Sequence, residues 1–138
     1  MVNLPQKIKA ELENINEIFN ELPPHYKLPE LSTLELAGVA ALLHNFYNGI
    51  ENIMKQIFIS LKINLPEGQA WHKELLESAA AKNIISHDCK NILGQYLAFR
   101  HFFSHAYALD LYPDKIEPLV ENSRIVFSLF QKDISKFL

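Results

Sequence analysis

One stretch of this chain constrains its fold more than any other. From Leu36 through Val39, Leu43, Phe46, Ile50 and Ile53 to Ile57, apolar residues recur at alternating spacings of three and four. That spacing puts them on one stripe of an α-helix, and a stripe this long is the seam of a helical bundle. The helix opens on a capping-box signature, Ser32-Thr33-Leu34-Glu35, in which a serine oxygen and a glutamate satisfy otherwise unpaired amide donors. It is expected to run to about Ile63, before the break at Leu65-Pro66-Glu67-Gly68.

Four more helices read out by the same periodicity. The first covers about Asn3 to Leu22, with Leu4, Ile8, Leu12, Ile15, Phe19 and Leu22 inward, and it ends at Pro23-Pro24. A shorter one spans roughly Ala70 to Lys82, with Trp71, Leu75, Leu76 and Ala79 facing in and Trp71 as a bundle anchor. The next starts near Ser86 or Asp88 and reaches about Leu109. The last begins at Pro113, a good first-turn residue, and carries Ile116, Leu119, Val120, Val126, Phe127, Phe130 and Ile134. No repeat or linker interrupts the pattern. The expectation is an all-α, four-to-five-helix up-and-down bundle forming one domain over residues 1–138, built around the second and fourth helices.

Composition agrees with that class. Hydrophobic residues make up 49% and charged residues 21%, so 138 residues can bury a real core. The longest apolar run, Leu36 to Leu43, is far short of a membrane span, and the N-terminus lacks a secretory apolar region. Cys89 is the only cysteine, which rules out an internal disulfide or a cysteine-rich zinc site. A cytoplasmic protein with no membrane association and an inert, buried thiol is expected. Net charge is −3, and the 13 basic residues form no stripe. Any RNA contact must therefore be local or assembled from more than one chain.

The fourth helix departs from the pattern of the others. Ile92, Tyr96, Phe99, Phe103 and Ala106 make one seam, Leu93 and Leu97 a second face, and Phe102 and Leu109 a third. A helix apolar nearly all round is buried by its own bundle or by a partner chain. Within it sits Arg100-His101-Phe102-Phe103-Ser104-His105-Ala106-Tyr107. Cationic groups in so apolar a helix must be paired or line a wet cleft, which marks a functional-site candidate. At about 100° per residue, Tyr107 lies about 20° from Arg100, Ser104 about 40° and His105 about 140°. Arg100 and His105 meet only if the helix distorts near its end or if two copies build a composite cleft.

The run Phe99 to Tyr107 resembles the R-x4-H-x-Y segment of HepT-type toxins of the HEPN superfamily, with Arg100, His105 and Tyr107 at the motif positions. Phe46-Tyr47-Asn48-Gly49-Ile50-Glu51-Asn52 and Trp71-His72-Lys73-Glu74-Leu75-Leu76 are similar in kind and order. The resemblance covers roughly residues 30 to 138. It implies a homodimer through the long second and fourth helices, cutting RNA without metal or cofactor. His105 would then be the acid or base, and Arg100 would stabilise the phosphorane. It also implies a nucleotidyltransferase (MNT-type) antitoxin partner, with Tyr107 as a site of AMP addition.

Plainer readings stand beside these. Arg100 can be a structural ion-pair residue, His105 a satisfied core or surface group and Tyr107 a core aromatic. His101 and His105, four apart, would make half of a metal site with no obvious third ligand. His44, Asn48, Glu51 and Lys55 form a polar stripe that reads as a solvated face or, for Asn48 and Glu51, as support for Arg100. Capping or packing accounts for His72 as well as catalysis does. A non-catalytic HEPN-like dimerisation or nucleotide-binding module is the alternative to a ribonuclease.

Overall fold

The computed structural model describes residues 3–138. Five α-helices follow in order: α1 (Leu4–Glu21), α2 (Thr33–Ser60), α3 (Trp71–Ala81), α4 (His87–His105) and α5 (Pro113–Ile134). Short 3₁₀ turns occupy His25–Glu30, Ala108–Asp110 and Ser135–Phe137, and no strand occurs among the described residues. The architecture is an all-α bundle.

Local chemistry sets the helix starts. Asn3 Oδ1 accepts from the Gln6 amide while Gln6 Oε1 accepts from the Asn3 amide, at 3.0 and 3.2 Å. Ser32 and Glu35 close the same reciprocal pair at α2, at 3.1 and 2.9 Å. Ser86 caps α4 by accepting from the Cys89 amide, and its own amide and hydroxyl donate to Asp133 of α5 at 2.9 Å each. That cap is also a tertiary tie.

The helix ends differ from the periodic reading. α2 stops at Ser60 rather than Ile63 because Lys62 adopts φ 59° and the Ile63 amide closes back on the Phe58 carbonyl at 2.9 Å. α3 ends in the same way, with Asn83 at φ 60° and the Ile84 amide bonded to the Ala79 carbonyl. Such left-handed closures usually employ glycine, and a lysine at the first of them leaves no trace in the sequence. α4 stops at His105, four residues short of Leu109, because Ala106 turns extended at ψ 154°. Asp110 then organises the following turn, its amide bonding to the Tyr107 carbonyl and its carboxylate accepting from the Tyr107 amide. Tyr107 is therefore off the helix, and its expected angular alignment with Arg100 does not hold.

α2 is the central element, touching α1, α3, α4 and α5. Its seam residues Leu36, Val39, Leu43, Phe46, Ile50, Ile53 and Ile57 are all buried. Phe46 anchors an aromatic cluster with Phe19 of α1 at 5.6 Å and Tyr96 of α4 at 5.4 Å, and Phe127 of α5 lies 5.3 Å from Phe19. The Tyr96 hydroxyl, buried with the ring, donates to the Leu119 carbonyl at 2.7 Å. Cys89 is buried too, and burial first, with Asp133 second, pushes its thiol up to about 12.

α4 buries only one face within the chain, through Cys89, Leu93, Tyr96 and Phe99. Ile92, Leu97 and Phe103 are partly covered, whereas Phe102 and Leu109 are exposed. Trp71 is likewise only partly buried rather than a central anchor. None of the helices among the described residues is long and apolar enough to cross a membrane.

α1 packs tightly against α2 at Gly49. A Cβ there would meet Ile15 Cγ1 at 2.7 Å, and Ile15 is itself buried. Gly49→Val is expected to lower unfolding stability by about 1–3 kcal/mol through overpacking. Urea denaturation would measure the loss, and an unchanged midpoint would show that the two helices separate freely.

Candidate active site

The site grows from one buried carboxylate. Glu51 lies on α2, one turn beyond Tyr47, and is only 2% exposed. The solvated-face reading of its polar stripe is wrong for this residue. Its Oε2 accepts from His72 Nδ1 of α3 at 2.7 Å, and its Oε1 lies 4.0 Å from Arg100 Nε of α4. One carboxylate thus holds groups from two other helices.

Asn48, nearly one turn earlier, completes the seat of Arg100. Its Oδ1 accepts from Arg100 Nε at 2.9 Å, and its amide nitrogen lies 3.3 Å from His44 Nδ1. Donation from Asn48 requires that His44 nitrogen to be unprotonated. Burial, and then the Arg100 guanidinium, hold the His44 imidazole below the ordinary histidine range, which fits that arrangement. Arg100 is therefore fixed through its Nε by an amide and a more distant carboxylate, which leaves its terminal nitrogens for other work.

Trp71 stacks on His72 with ring centroids 3.6 Å apart, and Lys55 Nζ sits 4.4 Å from the Trp71 ring centre. The imidazole is held by the carboxylate at one edge and by the indole on its face. Buried Tyr47 lies in the same region. Its hydroxyl has no hydrogen-bond partner among the described residues, and burial, with Glu51 adding to it, raises its pKa well above the ordinary phenol range.

Between α3 and α4 opens a cleft of about 580 Å³ whose lining includes His72, Lys73, Lys90, Arg100 and His101. Leu76, Gly94, Leu97 and Ala98 form its apolar wall, and Glu77 is its acidic member. The basic residues look scattered along the sequence, yet three of them converge here with two histidines. Residues 72–73, 90 and 100–101 meet only because α3 packs against α4.

The other motif residues stand apart from this centre. Ser104 turns its hydroxyl back to the Arg100 carbonyl at 2.9 Å. His105 is exposed at the last turn of α4, its Nδ1 2.9 Å from the His101 carbonyl and its ring 4.7 Å from the His101 ring. It borders the cleft through His101 rather than lining it. Tyr107 is 80% exposed. No group of three or more His, Cys, Asp or Glu with metal-holding geometry occurs among the described residues. The sequence reading missed the partnership of His72 with Glu51. The available signal was Glu51 standing between Ile50 and Ile53 of the apolar seam of α2, where a carboxylate needs a partner.

With this geometry in view, comparison with known families is decisive. The family model described as HepT-like protein matches residues 38–138. The chain belongs to the HepT-like family. That assignment is consistent with a HepT-like domain of the HEPN superfamily. The matched span contains every residue of the candidate site, from His44 to Tyr107, whereas α1 lies outside it. No curated protein and no solved structure matches the chain.

His44 makes this site a source of pH-dependent stability. Its folded pKa is depressed, so the unfolded chain binds a proton more readily than the folded one. The resulting stability is complete above the ordinary histidine value of ~6.5 and is lost as pH falls through the depressed folded value. Melting temperature should therefore drop on acidification below about pH 7. His44→Gln should flatten that part of the curve, and parallel curves for the two proteins would contradict the assignment.

Proposed function

We propose that this HepT-like protein is a metal-independent endoribonuclease of the toxin class. The observation that carries the reading is the seating of Arg100. Its Nε is occupied by Asn48 and faces Glu51, while the residue lines a basic cleft. A guanidinium held in this way meets developing negative charge without reorganising, which is how electrostatic stabilisation of a phosphorane works. RNA cleavage by 2′-hydroxyl attack further needs proton transfer to and from oxygen, and histidine performs both near neutral pH. His105 is the motif histidine, and it stands beside His101 at the cleft edge. His101 and Ser104 support the end of α4, and Asn48 and Glu51 support Arg100.

The acting unit in this reading is a cytoplasmic homodimer. The seam of α2 is buried within the chain, although Leu34 and Ile59 of that helix are exposed, and in this reading α4 and the segment after it supply most of the joining surface. Phe102, Leu109 and Tyr112 are exposed there, beside a groove of about 660 Å³ lined by Ala98, Phe99, Leu111 and Ile116. A nucleotidyltransferase-type antitoxin would hold the enzyme in check by adding AMP to Tyr107, whose exposure suits modification. A non-catalytic dimerisation or nucleotide-binding module is the second reading. The position of His105 outside the cleft lining favours it.

Two measurements test the proposal. Purified protein incubated with a mixed RNA pool and EDTA should leave 2′,3′-cyclic phosphate ends. Arg100→Ala and His105→Ala should each lose about 10²-fold or more in rate. Equal activity in all three would place the chemistry elsewhere, and no cleavage by the folded wild type would favour the binding module. Separately, Phe102→Glu should convert a dimer to a monomer in light scattering coupled to size exclusion. An unchanged mass would remove α4 from the interface.

A further inference from the structure

Cleavage of RNA by an internal hydroxyl needs two proton transfers, and the R-x4-H-x-Y motif supplies one histidine for them. A second histidine stands in the Arg100 cleft on a different helix. His72 Nδ1 donates to buried Glu51 Oε2 at 2.7 Å, and the other oxygen of that carboxylate faces Arg100 Nε at 4.0 Å. One carboxylate therefore sets the spacing between an imidazole and a guanidinium that line the same cleft.

The hydrogen bond also selects a tautomer. With the proton on Nδ1 directed at Glu51, Nε2 carries the free lone pair. Among the described residues, no hydrogen bond is formed by His72 Nε2. Trp71 stacks on the ring at 3.6 Å and resists its rotation. The charged groups around it are Glu51 and Lys55 from α2, Arg100, His101 and Lys90 from α4, and Lys73 and Glu77 from its own helix. Only Glu51 touches the ring as a hydrogen-bond acceptor. A carboxylate behind an imidazole stabilises the imidazolium that forms when the far nitrogen accepts a proton, which is the arrangement of a general base.

We propose that His72 is the general base of the RNA cleavage reaction and that Glu51 is its positioning residue. The assignment rests on the ribonuclease reading. His72 Nε2 takes the proton of the 2′-hydroxyl as the 2′-oxygen bonds to phosphorus. Arg100 bears the charge on the phosphorane oxygens. The bond from phosphorus to the 5′-oxygen then breaks, and His105 delivers a proton to that leaving oxygen. The products are a 2′,3′-cyclic phosphate and a 5′-hydroxyl. The protonated His72 and the deprotonated His105 exchange protons with water to reset the site. This division of labour gives a role to a Trp-His pair for which packing and capping were otherwise sufficient reasons.

A substrate that needs no acid separates the two histidines. In an RNA whose scissile 5′-oxygen is replaced by sulfur, the leaving thiolate departs without protonation, because its conjugate thiol has a pKa of only ~8.5. On ordinary RNA, His72→Ala, His72→Gln and His105→Ala should each slow cleavage by about 10²-fold or more. On the 5′-thio substrate His105→Ala should recover to near the wild-type rate, while both His72 variants remain slow. Glu51→Gln should lower kcat by about tenfold or more with KM unchanged, as expected for a group that acts through the base. The His72→Gln variant, checked by its melting curve, separates lost chemistry from lost folding. Recovery of the His72 variants by sulfur, or wild-type cleavage of ordinary RNA by either of them, overturns the assignment while leaving the ribonuclease reading intact. Failure of the wild type to cleave either substrate overturns both.

Discussion

Burying one carboxylate on the central helix is the constraint on which the site depends. Moving a carboxylate out of water costs several kcal/mol even after the protein relaxes around it. Glu51 is almost wholly enclosed, and its compensation comes from a short bond to His72 and a more distant charge on Arg100. Neither partner is on its own helix. The carboxylate therefore couples α2 to α3 and α4, and removing either partner would leave a buried charge poorly matched. That demand aligns three helices at the point where their polar groups converge.

The same constraint explains how Arg100 can sit in a largely apolar helix. Asn48 bridges between His44 and Arg100, using its oxygen for the guanidinium and its nitrogen for the imidazole. The bridge works only with His44 neutral, and burial, together with the guanidinium beside it, holds that imidazole below the ordinary histidine range. Arg100 is thus held by groups of the protein itself, Asn48 at its Nε and Glu51 farther off. Such preorganisation is what makes a cation useful to a reaction rather than merely attractive to an anion. The surrounding cleft extends the effect, because Lys73 and Lys90 add positive charge at its wall while the chain as a whole carries −3.

Much of the fold was legible in the residues. The Leu36–Ile57 seam, the capping box at Ser32 and the proline start of α5 each rest on local chemistry, and each is present where the pattern puts it. The ends of α2 and α4 were not legible. Lys62 enters the left-handed region without a glycine to announce it, and Ala106 leaves the helix although alanine favours helix strongly. At the first the Ile63 amide closes back on the Phe58 carbonyl, and after the second Asp110 organises the following turn. The site divides in a similar way. Arg100, Asn48 and Glu51 could be named from their positions, but the burial of Glu51 and its bond to His72 depend on the packing of α3.

By itself, the sequence determined the helical class, the central helix, the starts of the main elements and the identity of the motif residues. These follow from periodicity and capping, which act over a few residues and need no knowledge of distant neighbours. Tertiary structure alone decided that His72 and Arg100 share one carboxylate, that Lys73 and Lys90 meet at a cleft, and that His105 and Tyr107 stand outside it. Each of those facts concerns residues brought together from separate helices, or a backbone turn imposed after a helix ends. Spacing along one helix specifies a face, but only packing between helices specifies what that face meets.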